Sequence, residues 1–190
     1  MVMYCQVKTA LLCCIIGTCC GRLGYLGMVE YREGDTGLVI TVPHGGGLDY
    51  HPIPDRRYGV LEGDDHTREL GEVVAASICR YLGKCPHVIF CNLKRSKLDA
   101  NRNISVAAQG NNEAEKVWHD YHRFIKEAKH VEGEGVVIDL HGQSHLQNST
   151  ELGYLLSTRD LNTGNYEEER SSIKHLARRL GTSGKEIITG

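Results

Sequence analysis

Two apolar, β-branched runs in this chain each close on a histidine that glycine follows at once. They are Leu38-Val39-Ile40-Thr41-Val42-Pro43-His44-Gly45 and Val136-Val137-Ile138-Asp139-Leu140-His141-Gly142. Both patterns predict buried strands with an imidazole at the carboxyl end, where open α/β sheets bind their ligands. A shorter run, Val88–Cys91, predicts a third strand, and Tyr25–Arg32 a β-like approach to the turn Glu33–Gly37. Helical spacing of Leu70, Val73, Val74, Ile78 and Tyr81 predicts a helix over about 65–82, with Asp64 or Asp65 as N-cap and Gly83 as its stop. Ala114, Val117, Trp118, Tyr121, Ile125 and Ala128 predict a second helix over about 112–129. A strand over Glu151–Ser157 and a helix over about 167–180, with Ile173, Leu176, Ala177 and Leu180 inward, complete the pattern.

Strands alternating with helices of this length predict one α/β domain: a mostly parallel sheet covered on both faces, hence three layers. Between the first strand and first helix lies a loop from Pro43 to Gly63, rich in Gly, Pro and Asp. Structureless loops of that length in compact domains usually carry function, and this one starts at His44. The closing segment, Lys185–Gly190, reads as the opening of a further strand, so the domain is expected to be incomplete at its C-terminus.

The 190 residues suffice for one domain, and 41% hydrophobic with 24% charged residues is ordinary for a soluble protein. A net charge of −2 and sparse aromatics without interleaved basic runs argue against a nucleic-acid partner. Five of the eight cysteines (Cys5, Cys13, Cys14, Cys19 and Cys20) precede Gly21. There Lys8, an apolar run and small residues resemble a secretory signal over 1–21, although a cysteine-rich tail fits the same composition. The run is shorter than the roughly 20 residues that span a bilayer, so no membrane span is expected. The expected location is secreted, or cytoplasmic if the leader is not a signal, with the domain over 25–190. Cys79, Cys85 and Cys91 then leave at least one thiol unpaired.

A catalytic zinc takes about three protein ligands and leaves one position for water. His44 and His141 supply two. Asp64, Asp65 or His66 could supply the third, although spacing alone reads either aspartate as a helix cap. Asp139 shares a strand face with His141 and suits a carboxylate that fixes the ring's tautomer. His145, four residues past His141, is a candidate proton donor or substrate contact. In Arg95-Ser96-Lys97-Leu98-Asp99-Ala100-Asn101-Arg102, either arginine could clamp a substrate carboxylate, with Asp99 and Asn101 holding the loop. His119 and His122 read as packing or surface residues.

Val42-Pro43-His44-Gly45-Gly46, Asp64-Asp65-His66-Thr67-Arg68-Glu69-Leu70, Arg95-x3-Asp99-x-Asn101-Arg102 and Asp139-Leu140-His141-Gly142 occur here in one order. In that order they resemble the N-formylglutamate amidohydrolase family from about Glu30 onward. The resemblance implies a zinc carboxypeptidase-like α/β/α fold and zinc-dependent hydrolysis of a small acidic N-acyl amino acid. It implies His44, Asp64 and His141 as metal ligands, with Asp65 as the alternative acid. By the same resemblance Arg102, with Arg95, would correspond to the basic pocket for the substrate carboxylate. The residue pattern adds Asp99 and Asn101 to that substrate-binding segment and makes Asp139 and His145 the catalytic candidates beside the metal. Pro-His-Gly-Gly stands where the family has Pro-His-Ser-Gly. The family's late general acid/base Glu has no positional match before Gly190, where Glu62, His66 or His145 would have to stand in. The competing expectation is a secreted binding protein, or an inactive truncated isoform, on the same scaffold.

Overall fold

The computed structural model describes residues 21–130, 135–144, 150, 151, 153, 156–163, 171–181 and 183. Residues 1–20 of the expected leader, and His145, lie outside the described residues. The chain divides into two compact units, Met1–Ser144 and His145–Gly190.

The first unit is α/β. Its strands are β1 (Gly21–Leu23), β2 (Val29–Arg32), β3 (Leu38–Val42), β4 (His87–Cys91) and β5 (Val136–Asp139), in the order β1-β2-β4-β3-β5. β3 runs parallel to β4 and β5, whereas β2 runs antiparallel to β1 and β4. The expected mostly parallel sheet is therefore mixed. The segment read as a mere approach folds back through a 3-10 turn at Tyr25–Gly27, and a connection that short permits only antiparallel pairing.

β3 and β4 are the centre of the sheet, and their alternation separates two apolar layers. Ile40, Val42, Val88 and Phe90 face helix α1 (Thr67–Leu82). Val29, Tyr31, Val39, Ile89 and Cys91 face Val117, Tyr121, Phe124 and Ala128 of a longer helix. That helix, α3 (Asn112–His130), follows a short α2 (Ile104–Ala107).

The inward face of α1 overlaps the expected one only in part: Val74 and Ile78 pack against the core as expected, but the contact is centred elsewhere. Thr67, Gly71 and Ala75 are buried, whereas Leu70, Val73 and Tyr81 are exposed. A Cβ at Gly71 would lie 2.8 Å from Val42 Cγ2, so the helix approaches the sheet through its smallest residues. Close approach outweighs side-chain hydrophobicity here. The expected aspartate cap is absent too: His66 occupies the cap position with φ 61° and no side-chain cap bond, which leaves both aspartates to other uses. Gly83 ends the helix as expected, in the left-handed conformation.

Val136, Val137 and Ile138 are expected to be buried, but among the described residues β5 is an edge strand and they are exposed. Cys79 and Cys85 form a disulfide, and Cys91 is a buried free thiol that burial pushes up to about 12.

In the second unit the described elements are α4 (Thr158–Thr163) and α5 (Ile173–Leu180). Ser157 and Asp160 cap α4 reciprocally: Ser157 N–H donates to Asp160 Oδ2 at 2.9 Å, and Asp160 N–H to Ser157 Oγ at 3.2 Å. Ile173 and Ala177 are buried as expected, whereas Leu180 is exposed. Of the expected strand Glu151–Ser157, none of the described residues is in a strand. No helix among the described residues is long and apolar enough to cross a membrane.

The long loop is tied to the strand beside it. Leu48 N–H donates to Asn92 O and Lys94 N–H to Leu48 O, which lays the chain after His44 along the chain after β4. A Cβ at Gly46 would lie 2.3 Å from the Asn92 carbonyl carbon. Gly46→Ala must therefore push two backbones apart, at about 1–3 kcal/mol. A lowered urea midpoint with an unchanged slope would register this cost.

Candidate metal centre

Parallel pairing sets the site. Thr41 lies opposite Asp139 in the β3–β5 ladder, so the two strands end level and their histidines emerge side by side. The imidazole centroids of His44 and His141 are 5.0 Å apart. The long loop then brings Asp64 back to them, with Asp64 N–H donating to His44 O at 3.0 Å.

Asp64 is the hinge of the arrangement. Its Oδ2 lies 3.2 Å from His44 Nδ1 and 3.1 Å from His141 Nδ1, and accepts from Gly142 N–H at 3.1 Å. His44, Asp64 and His141 form a group that could hold a metal ion, one ligand atom from each lying within 4.8 Å of the others. His44 and Asp64 are deeply placed, whereas the His141 side chain is 36% exposed. The group thus opens on one side. Asp65 and His66 are not part of it.

The far nitrogen of each ring meets another carboxylate. His44 Nε2 lies 2.7 Å from Asp99 Oδ1, and His141 Nε2 lies 2.8 Å from Asp139 Oδ2. Metal-bound histidines characteristically give their second ring N–H to such a partner, which fixes the tautomer and aims the other nitrogen. Thr41 Oγ1 donates to Asp139 Oδ1 at 2.6 Å, and the Asn101 amide lies 2.9 Å from His141 Nε2.

Arg95 is committed inward. Its Nη1 donates to Asp64 Oδ1 at 3.1 Å and to Glu62 O at 3.3 Å, and its Nε donates to Asp99 Oδ2 at 3.2 Å. It braces the acids and is not turned towards solvent, where a substrate carboxylate would be. Arg102 is exposed, with Nη1 donating to Asn101 O at 2.8 Å. Arg56, which sequence reasoning missed, is buried, and its Nη2 lies 3.9 Å from Asp99 Oδ2. Its Nε donates to Arg95 O and its Nη2 to Val60 O, so it pins the long loop. Nothing in the spacing of a Pro-Asp-Arg-Arg loop marks one arginine as buried.

The charges are strongly coupled. Burial tends to raise the Asp99 carboxyl, but the His44 and Arg95 contacts win and hold it far below the usual range. Burial of Asp64 is likewise outweighed, by Gly142 N–H, His141 and His44, and its carboxyl is lowered. The Asp139 hydrogen bond raises His141 above its ordinary value, against the opposing effect of burial. Asp64 and Asp99 face the guanidiniums of Arg95 and Arg56, whereas Asp139 faces the His141 ring alone.

Of the expected site residues, the structure brings together His44, Asp64, Arg95, Asp99, Asn101, Asp139 and His141, with Arg102 beside them. Comparison with protein-family models, curated proteins and solved structures finds no match to this chain.

Proposed function

We propose that this chain is a zinc-dependent hydrolase of small acidic N-acyl amino acids, built on a zinc carboxypeptidase-like scaffold. One observation carries the reading. Two imidazoles turn Nδ1 towards a single Asp64 oxygen, while separate carboxylates hold each Nε2. Two nitrogens and one carboxylate oxygen suit zinc as a catalytic ligand set. When bound, zinc supplies a Lewis acid and a water of lowered pKa.

The chain's own residues do the rest. Asp99 and Asp139 hold the rings with Nδ1 inward, and Arg95 fixes Asp64 and Asp99 in place and helps keep Asp99 ionised. Arg102 presents a free face of its guanidinium to a substrate carboxylate at the open side, next to Asn101. The Cys79–Cys85 disulfide supports folding in an oxidising compartment, in keeping with secretion.

The test is metal analysis of the purified chain together with release of formate or acetate from N-formyl- or N-acetyl-glutamate. The expected result is about one zinc per chain and turnover that a chelator abolishes and zinc restores. Folded protein that takes up no stoichiometric zinc would overturn the reading.

A further inference from the structure

We propose that Trp118 and His122, one turn apart on α3, are positioning residues for this centre. They fix the backbone of the Asp99–Arg102 turn, which carries the groups that orient His44 and His141. Trp118 Nε1 donates to Arg102 O at 2.9 Å, and His122 Nε2 donates to Ala100 O at 3.1 Å. The two rings pack on each other with centroids 3.9 Å apart. The turn itself is tight: Asn101 N–H donates to Asp99 Oδ1 at 3.2 Å and Arg102 N–H to Asp99 O at 3.1 Å.

The consequence is geometric. Between those two anchored carbonyls stands Asn101, 2.9 Å from His141, and just before them Asp99, 2.7 Å from His44. A helix face thus grips the turn from behind while the turn's side chains meet both histidines in front. Of the anchored carbonyls, neither belongs to regular secondary structure, so the side-chain donors replace a ladder that the loop lacks. Ligand rings are held to within fractions of an ångström only when the groups behind them are themselves locked. Burial favours the neutral form of His122, and its Nε2–H donates to Ala100 O. Packing alone would account for the close, tilted ring contact, but not for two N–H donors aimed at alternate carbonyls of one turn.

The inference rests on the metal-centre reading, and the experiment separates the two. His122→Phe and Trp118→Phe each keep a ring and remove one donor, while His122→Gln keeps an N–H at a similar reach. Zinc affinity is measured by competition with a chelating dye, and amide hydrogen exchange at Asn101 and Arg102 is followed in the metal-free chain. Expected are an affinity loss of about tenfold in each Phe variant, faster exchange at both amides, and near wild-type values for His122→Gln. Trp118→Phe decides the matter if His122→Phe does not fold. Wild-type zinc affinity and exchange in both Phe variants, or an equal loss in His122→Gln, would overturn the inference. If the wild-type chain takes up no zinc, the metal reading fails, and the exchange data alone decide whether the turn is held this way.

Discussion

His141→Ala is expected to weaken zinc binding by at least about 100-fold, beyond the 10- to 100-fold typical of losing an outer partner, and to abolish any metal-dependent turnover. The variant is informative because His141 is the exposed member of the group. Its side chain is 36% accessible, against 1% for His44, so its removal opens no core cavity. The metal-free variant should unfold within a few degrees of the wild type. His44→Ala would confound the two effects, since it strips a buried ring from between Asp64 and Asp99. Competition with a chelating dye, run beside thermal unfolding, reads both quantities. Unchanged affinity in a folded His141→Ala protein would remove this histidine from the centre.

The same titration has a pH dependence whose sign follows from the contacts. His141 has a raised value in the folded chain, so its proton persists to higher pH than in a free imidazole. Zinc must displace that proton from Nδ1. Affinity should therefore rise with pH through the raised value and level off above it. In the metal-free chain the linkage runs the other way. The stabilisation from protonated His141 is complete below its unfolded value of about 6.5 and is lost as pH rises through the folded one. Both effects should be smaller in His141→Ala.

How much of this was legible beforehand varies with the kind of signal. The histidines at the strand ends were visible because a β-branched run ending in His-Gly fixes both the element and the side chain's position along it. Their convergence on one site is also the expectation from the sequence; the register that delivers it, with β3 and β5 as parallel neighbours, is not. Among the described residues β5 stands at an edge, which no local pattern announces. In the antiparallel half of the sheet, β2 falls within the segment read as β-like and alternates buried with half-buried positions, whereas β1 is three exposed residues with no alternation to read, so the reversal between them has no signal. The inward face of α1 is legible at Val74 and Ile78 but not at its centre: contact at Gly71 and Ala75 brings helix and sheet close, and a rule that ranks side chains by hydrophobicity cannot see it. Among the site residues, Asp64 was ambiguous with a helix cap until the cap position proved to be held by His66. Arg56, Trp118 and His122 act through backbone carbonyls of loops, and such partners have no sequence signature.

Asp99→Ala is expected to cost about 3–5 kcal/mol of folding stability, a large share of the 5–15 kcal/mol usual for a domain. Asp99 is 2% exposed and meets His44 Nε2, Arg95 Nε and Asn101 N–H, with Arg56 at 3.9 Å. Without its carboxylate, two buried guanidiniums face each other with the anion between them gone. The cost arises from those stranded charges more than from the lost contacts, and so Asp99→Asn, which keeps the shape but not the charge, should also be destabilised, though less. Acid titration distinguishes this origin from simple packing. The folded-state carboxyl is held far below its ordinary value, so its contribution is complete above the unfolded value of about 4 and is lost as pH falls through the folded one. Urea midpoints of wild type and Asp99→Asn should therefore stand furthest apart above pH 4 and converge under stronger acid. A gap that stays constant with pH would assign the role of Asp99 to packing and detach it from the charge network that holds His44 in place.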